Sequence, residues 1–435
     1  MTSQYKPFIF KLNHTDVGDI YKDNKVITTS NISQPLISMG FHSFLHRTKS
    51  AMSITTKLET KNKFYYVVNP FEHVINDYNK DISHISKQFL DMKSESEILS
   101  RAFYKMWEIL YIFDLASKPK MTMVGLAEGP GSFIQAFVEF REKYFDPSND
   151  TVYGLTLKSD ESISINRTMV DNINERYSDM INIIKTSSKS ETKKIITNGD
   201  LTKVETLNYL RSNVKKMADL VTADGGFKWI NENYQEQEAY CLIIGEIIGA
   251  ISVCAKNGSF ILKIFETFTH VTIKLVYILS SFFEETYIYK PFFSRDTNSE
   301  KYIVCKGFKY DNNDEQLKKK IKYLEETLTK CKTDIFINDI FPKFNLSPAN
   351  LNIFKNINIL IANTQQIMIN NLVVYIKSNN YFGDMYHDYR DKQIEANKWW
   401  IEYFFTEKLN DKSSVVKEIC HYNESEFNLF VKKLV

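Results

Sequence analysis

Between residues 121 and 310, short apolar runs alternate with helical or polar stretches, and this rhythm leaves few folds open to the chain. The runs are MTMVGLA, TVYGLTL, KKIITN, ADLVTAD, SFILKIF, EETYIYKP and EKYIVCKGF. Each of the first five is followed by a turn and then a helical or polar stretch. Strands joined through helical crossovers run parallel, so the pattern predicts a doubly wound α/β sheet, mostly parallel. The last two runs are linked closely, through Pro291 and a polar turn. So short a link joins antiparallel strands. The sheet should therefore end in an antiparallel strand near Glu300 to Phe308.

The flanks divide the chain into three parts: an N-terminal extension over 1–95, the sheet domain over 96–310, and a helical C-terminal region over 311–435. The extension mixes β-like runs (FIFKL, FYYVV) with polar turns and is expected to pack on the main domain. A helix over 96–118 carries an apolar stripe at Leu99, Phe103, Met106, Ile109, Leu110 and Phe113. After 310, DNNDEQLKKKIKYLEETLTKCK reads as an amphipathic helix with an Asp or Asn cap. Pro342 and Pro348 mark a break, and further apolar helices follow, ending near Trp399 and Trp400.

Bulk properties narrow the partners. The chain carries 55 Lys and Arg against 53 Asp and Glu, so a nucleic-acid partner must be held by a local basic surface. There are five cysteines, none in a CxxC pair, which argues against a disulfide framework or a zinc site. Free thiols suit a reducing, intracellular compartment, with the cytoplasm favoured over the nucleus. The start of the chain shows no basic segment followed by an apolar core, so no signal peptide is expected. The apolar run from Ile243 to Cys254 contains Glu246 and is too short to span a bilayer, so no membrane partner is expected.

The segment MVGLAEGPGSFIQAFVEF is an apolar strand, a glycine turn and a helix. Gly129 and Gly131 permit close backbone approach, Pro130 stiffens the turn, and the helix from Ser132 aims free N–H groups into it. Such a turn can hold a dinucleotide pyrophosphate or the amino-acid end of S-adenosylmethionine. The spacing of Gly125, Gly129 and Gly131 is neither GxGxxG nor a Walker loop, which favours the second ligand. In an open α/β sheet, ligands lie beyond the carboxyl ends of the strands. Those ends bring in Thr156, then Asp200, then Asp224. Asp200, at the third strand end, is placed to accept from an adenine amino group, or else serves as a turn or helix-capping residue.

Four ionisable residues fall at one edge of such a sheet. Lys105 lies on the helix entering the first strand, Asp224 ends the fourth strand, Lys263 ends SFILK, and Glu300 begins the final strand. An antiparallel final strand starts where the parallel strands end, so all four can share a cleft. A ribose 2′-hydroxyl is a poor nucleophile and must lose a proton to attack a methyl group. Lys263 can take that proton if its pKa falls, and a second ammonium, Lys105, would lower it by like-charge repulsion. Asp224 and Glu300 would orient the lysines and the hydroxyl.

In this order, RAFYKMWEIL, LAEGPGSF, DLVTADGGF, SFILKIFETFT and SRDTNSEKYIVCKGFK resemble the FtsJ-like (RrmJ-type) 2′-O-ribose RNA methyltransferases. VVNPFEHV and YGLTLK resemble the subgroup of eukaryotic and large-DNA-virus mRNA cap methyltransferases. The resemblance covers roughly residues 65 to 310. It implies a Rossmann-like class I methyltransferase sheet, S-adenosylmethionine as cofactor, and methylation of the first or second transcribed nucleotide of capped mRNA, in a host cytoplasm if the protein is viral. It implies a catalytic Lys-Asp-Lys-Glu tetrad at Lys105, Asp224, Lys263 and Glu300. The cofactor-binding positions it implies are Ala127, Glu128, Gly129, Pro130, Gly131, Ser132, Phe133, Thr156, Asp200 and Asp224. Asn233, Gln235 and Asn298 correspond to RNA-binding positions. The sequence departs from the family at Gly125, where many relatives have Asp, and at Ala127 and Ser132, where glycines are common. No clear match exists for the ribose-binding acid after the second strand, because Asp160 comes some residues late.

Two other readings stand beside this one: methylation of ribosomal or transfer RNA, and an RNA-binding subunit that kept the fold without turnover. The C-terminal helices could form an RNA clamp, an oligomer surface or a docking site for a capping partner. The Trp399–Trp400 pair is read as packing a helix onto the core rather than stacking a base. His42 and His46 have the i, i+4 spacing of a helical metal pair, but no further ligand is evident, and no metal is expected.

Overall fold

Thr122–Leu126 and Thr151–Leu155 are buried at every residue, as strands covered by helices on both faces must be. They lie at the centre of the sheet. The computed structural model describes residues 5, 7–13, 17–18, 20, 25–32, 35, 37–57, 65–71, 98–187, 197–226, 232–331, 336–379 and 383–409. In chain order the strands are β1 (Phe8–Lys11), β2 (Val26–Thr29), β3 (Thr122–Leu126), β4 (Thr151–Leu155), β5 (Ile181–Ile183), β6 (Ala218–Ala223), β7 (Cys254–Ile264), β8 (Phe283–Lys290), β9 (Lys301–Phe308) and β10 (Phe336–Ile340). The longer helices are α1 (Met39–Ser50), α2 (Ala102–Phe113), α3 (Ser132–Tyr144), α4 (Arg167–Arg176), α5 (Val204–Asn213), α6 (Tyr240–Val253), α7 (His270–Ser281), α8 (Glu315–Lys330), α9 (Pro348–Ser378) and α10 (Asp384–Phe404).

Eight strands form one sheet in the order β1-β8-β9-β7-β6-β3-β4-β5. β5, β4, β3, β6 and β7 are parallel, while β9 runs antiparallel to both β7 and β8. The chain moves outward from β3 through β4 to β5, then returns to place β6 and β7 on the other side of β3. The pair β3 and β6 is therefore the topological switch point, where a crevice opens beyond the carboxyl ends. The expected antiparallel strand is present, but it lies inside the sheet, between β7 and β8. The edge is closed by β1, from the FIFKL run, which pairs antiparallel with β8.

Several elements differ from the sequence reading. The third parallel strand is Ile181–Ile183, which pairs with β4, and not KKIITN. Residues 193–196 of that run lie outside the described residues, and Thr197 and Asn198 are not strand. Three residues suffice at a sheet edge, so the strand carries too short a signal to compete with the longer polar-flanked run. The FYYVV run contains a single helical turn, Tyr65–Val68, whose Val67 and Val68 pack against Leu372 and Tyr375 of α9. Tertiary packing there overrides β propensity. α2 spans 102–113 rather than 96–118, ending where Asp114 turns left-handed at φ 51°. The C-terminal region is not wholly helical, because β10 pairs antiparallel with β2. Cys254 and Cys305 are buried free thiols and Cys241 and Cys331 half-buried ones, while Cys420 lies outside the described residues.

The C-terminal helices pack on the sheet domain. Asp314 caps α8 by accepting from Gln316 and Leu317 N–H, and Ser347 caps α9 with Pro348 at its first turn. α9 is long and apolar enough to cross a membrane by length and composition. Its Phe354, Ile357, Ile361, Ile369 and Leu372 are nevertheless buried inside the protein. Asn358 donates to Thr267 O at 2.8 Å and Gln365 to Thr297 O at 2.7 Å, so one face of α9 braces two loops of the sheet domain.

α10 docks through tryptophans. Trp400 is fully buried and donates from Nε1 to Glu108 Oε1 at 3.0 Å, while Trp107 Nε1 donates to Phe404 O at 2.9 Å. Glu108 also accepts from Tyr289 Oη at 2.6 Å and Phe292 N at 2.8 Å. Burial pushes the Glu108 carboxyl up to about 7 against the pull of these donors. Trp399 is partly buried and stacks on Tyr403. The pair therefore serves packing. Trp400→Ala should cost about 3–5 kcal/mol in denaturant unfolding. A loss below about 1 kcal/mol would show that α10 is not part of the cooperative core.

Candidate active site

The antiparallel direction of β9 assembles the site. In the β7–β9 ladder Lys263 pairs with Tyr302, and Ile264 with Lys301. Glu300, just before β9, thus lies at the same edge as Lys263 near the end of β7 and Asp224 just after β6. Side chains alternate along a strand, so Glu300 and Tyr302 share a face with Lys263. Lys263 donates to Asp224 O at 2.8 Å and approaches Asp224 Oδ1 at 3.1 Å. Tyr302 Oη donates to the same Oδ1 at 2.9 Å. Lys105, buried on α2, meets Glu300 Oε1 at 2.5 Å. The four expected residues are brought together as two ion pairs.

Their electrostatics differ from the sequence expectation on one point. Burial alone would lower the Lys263 pKa, but Asp224, then Glu300 and Glu246, outweigh it and raise the value. Lys105 does not leave a bare ammonium beside Lys263, because Glu300 neutralises it. Burial would raise Glu300, yet Lys105 and then Lys263 pull its pKa down to about 2. That dual influence shows that the two ion pairs act as one group. A raised pKa favours the ammonium form of Lys263 at neutral pH.

The glycine turn lies beside this group. Ala127 adopts φ 53° and Gly131 φ 108°, both left-handed. Glu128 Oε1 accepts from Phe133 N and Ile134 N at 3.0 Å each, capping α3 with its own carboxylate. Phe133 turns its ring into the core against Tyr302, so its contribution to the turn is its amide. Ser132 Oγ is hydrogen-bonded to Ser100 Oγ at 2.7 Å, and Asn166 N donates to Pro130 O at 2.8 Å. Glu128 Oε2 is buried with no hydrogen-bond partner, and burial pushes its pKa up to about 8. A Cβ on Gly125 would sit 2.8 Å from that oxygen. The Glu128 carboxyl thus occupies the space that an acid at 125 would fill.

Thr156 and Asp200 line the next stretch of the same edge. Thr156 Oγ1 lies 3.2 Å from the Cβ position of Gly129, and Gly199 packs its backbone on Thr156 O at φ 87°. Lys158 N donates to Asn198 O at 2.7 Å, which holds the 198–200 segment beside the end of β4. Asp200 therefore reaches the edge on a returning loop, not as the end of the third strand. Its Oδ1 accepts from Thr202 N and Thr202 Oγ1 at 2.9 and 2.7 Å, a turn-forming role. The residues fit an S-adenosylmethionine: a buried carboxylate oxygen without a donor at Glu128 suits an ammonium, and Thr156 and Asp200 offer polar atoms farther along.

The RNA-binding candidates are more dispersed. Asn233 lies in a short 3-10 turn and Gln235 opens the helical turn that follows, both half-buried. Asn298 is bound into the loop before β9, where its Oδ1 accepts from Glu300 N at 3.2 Å. Phe227 and Glu72–Val74 of the resembling motifs lie outside the described residues.

Sequence reasoning missed three residues. Tyr302 was legible from strand period alone, two places after Glu300. Lys290 ends β8 and donates to Ser294 Oγ, Asn298 O and Glu300 O at 3.0–3.1 Å, tying up the 294–300 loop. Burial lowers its pKa to about 8. Glu246, buried on α6 against Gly225, is one of the carboxylates that raise the Lys263 pKa. Away from this cleft, His42 and His46 do gain a third neighbour. Glu266 joins them with ligand atoms within 4.8 Å of one another. Its carboxylate is already held by Lys49 and by His46 Nε2, so the cluster ties α1 to the end of β7.

Comparison with known proteins places the sheet domain in a family. The sequence model of the FtsJ-like methyltransferase family matches residues 98–308. Over 264 residues the chain is 28% identical to cap-specific mRNA (nucleoside-2′-O-)-methyltransferase 2 of Drosophila melanogaster, covering 58% of this chain and 36% of that one. It is 38% identical over 122 residues to cap-specific mRNA (nucleoside-2′-O-)-methyltransferase 1 of Mus musculus, covering 27% and 15%. It is 29% identical over 206 residues to the corresponding Trypanosoma cruzi protein, covering 47% and 52%. The chain thus spans about half or less of the length of these relatives. The β3–β9 sheet, the glycine turn and the match over 98–308 identify this part of the chain as an FtsJ-like methyltransferase domain.

Proposed function

We propose that the chain is an S-adenosylmethionine-dependent RNA ribose 2′-O-methyltransferase acting on the first or second transcribed nucleotide of capped mRNA, with Lys263 as general base. The observation that carries this reading is the Lys263–Asp224 contact at the carboxyl ends of β6 and β7, beside the Lys105–Glu300 pair. The names of the relatives support the capped substrate.

Each side chain has a distinct task. Asp224 accepts from both Lys263 and Tyr302 and so fixes the direction of the Lys263 Nζ. Glu300, held ionised by Lys105, is the acceptor for a substrate hydroxyl. Glu128, Thr156 and Asp200 hold the cofactor. Bound there, S-adenosylmethionine would supply an electrophilic methyl group and a positive charge near the same lysine. Lys263 must lose its own proton before it can accept one from the 2′-hydroxyl. Because the surrounding carboxylates raise its pKa, activity should climb with pH through the lysine titration.

Lys263→Ala should lower kcat by about 10²–10⁴-fold in a methyl-transfer assay on capped RNA. Lys263→Arg stays charged at every accessible pH and should be as inactive as the alanine variant. Arginine activity near wild type would mean that the residue only orients the substrate. Uncapped ribosomal or transfer RNA serving equally well would overturn the capped substrate. S-adenosylmethionine at about a hundred times its Kd should stabilise the fold by about 2.7 kcal/mol in thermal unfolding. No shift at saturating cofactor would instead favour a non-catalytic RNA-binding subunit.

A further inference from the structure

Helix α1 carries His42 and His46 one turn apart on the same face, and the fold brings Glu266 to them. One ligand atom from each of the three lies within 4.8 Å of the others. His42 is 8% exposed and Glu266 2%, while His46 is half-buried. The sequence displays only the two imidazoles, because Glu266 lies 220 positions from His46.

The contacts within the cluster leave room for a cation. Glu266 divides its oxygens: Lys49 holds Oε1, and Oε2 faces His46 Nε2 at 3.0 Å. Zinc bonds of about 2.0–2.1 Å at tetrahedral angles set ligand atoms about 3.3 Å apart. His46 and Glu266 therefore already stand at the separation of two ligands on one ion. The His42 ring lies 3.9 Å from the His46 ring, centre to centre. Among the described residues, no hydrogen bond reaches the His42 ring nitrogens, although the residue is buried. Buried polar groups normally have a partner. The ring also packs edge-on against Phe268 at 5.1 Å, which a phenylalanine would do as well. An ion pair between α1 and Glu266 needs Lys49 and one imidazole, and it leaves the second imidazole unexplained. Lys49 itself is compatible with an ion, since ligating carboxylates are in turn hydrogen-bonded.

We propose that His42, His46 and Glu266 form a binding site for a late first-row divalent cation, zinc above all, with water as the fourth ligand. Two imidazole nitrogens and one carboxylate oxygen are a donor set that zinc takes, whereas calcium and magnesium prefer oxygen alone. The ion replaces the His46 Nε2 proton, which moves to Nδ1 or to solvent. It staples α1, in the N-terminal extension, to the chain three residues beyond Lys263. Its role is structural, and it lies apart from the methyl-transfer cleft.

The test uses the untagged full-length chain. After incubation with zinc and dialysis, elemental analysis should find one zinc per chain. Cobalt added to the metal-free protein should give the visible absorption of a four-coordinate ion, without the near-ultraviolet bands of cobalt–thiolate bonds. The bound ion should raise the thermal-unfolding midpoint by mass action. His46→Ala and Glu266→Gln should weaken zinc binding by about 100-fold or more. Lys49→Met removes a competing positive charge and should tighten binding, whereas a plain ion pair would only lose stability. A folded wild type that retains no zinc would overturn the proposal. So would thiolate bands in the cobalt spectrum, or a His42→Phe variant that binds zinc as tightly as the wild type.

Discussion

The antiparallel ladder between β7 and β9 puts Lys263 opposite Tyr302 and returns the chain to the edge where the parallel strands end. Were β9 parallel, its first residues would lie at the opposite edge, and Glu300 would be a strand length away from Lys263. With β9 inserted between β7 and β8, the edge gathers Asp224, Lys263 and Glu300 from three separate strand termini. Lys105 comes from a helix, and its ion pair with Glu300 joins α2 to that edge. The chemistry of the site is therefore a property of sheet topology before it is a property of any one residue.

Elements far from the cleft hold this arrangement in place. Glu108 lies one turn along α2 from Lys105 and collects donors from Tyr289, Phe292 and Trp400. One buried carboxylate thus fixes the lysine-bearing helix to β8, to the loop leading toward Glu300 and to α10. Asn358 and Gln365 of α9 brace the loops on either side of the same site, at Thr267 and Thr297. Asn69 donates to Phe292 O at 3.1 Å, which ties the N-terminal part into the same loop. The segments flanking the methyltransferase domain act as supports for the loop before β9.

What the sequence disclosed follows from how local each signal is. Asp224, Lys263 and Glu300 stand at the ends of apolar strands, and strand ends can be read from composition. The glycine turn could be read because Gly129 and Gly131 flank a proline between a strand and a helix. β5 was misplaced because a three-residue edge strand carries almost no periodic signal. The pairing of β2 with β10 joins residues some 300 positions apart, a distance over which no local pattern operates. Glu246 reads in sequence as a charge interrupting an apolar helix, since only the fold brings it against Gly225. The charge on Lys263 was also out of reach, because it depends on three carboxylates from separate elements.

The central claim is that this site transfers a methyl group to a ribose 2′-oxygen near an mRNA cap. The most direct measurement is mass-spectrometric mapping of the product after incubation of capped RNA with labelled S-adenosylmethionine and nuclease digestion. The account predicts one added methyl on the 2′-oxygen of the first or second transcribed nucleotide, resistant to alkaline cleavage at that linkage. A methyl group on a base, or label confined to internal positions of uncapped RNA, would contradict it.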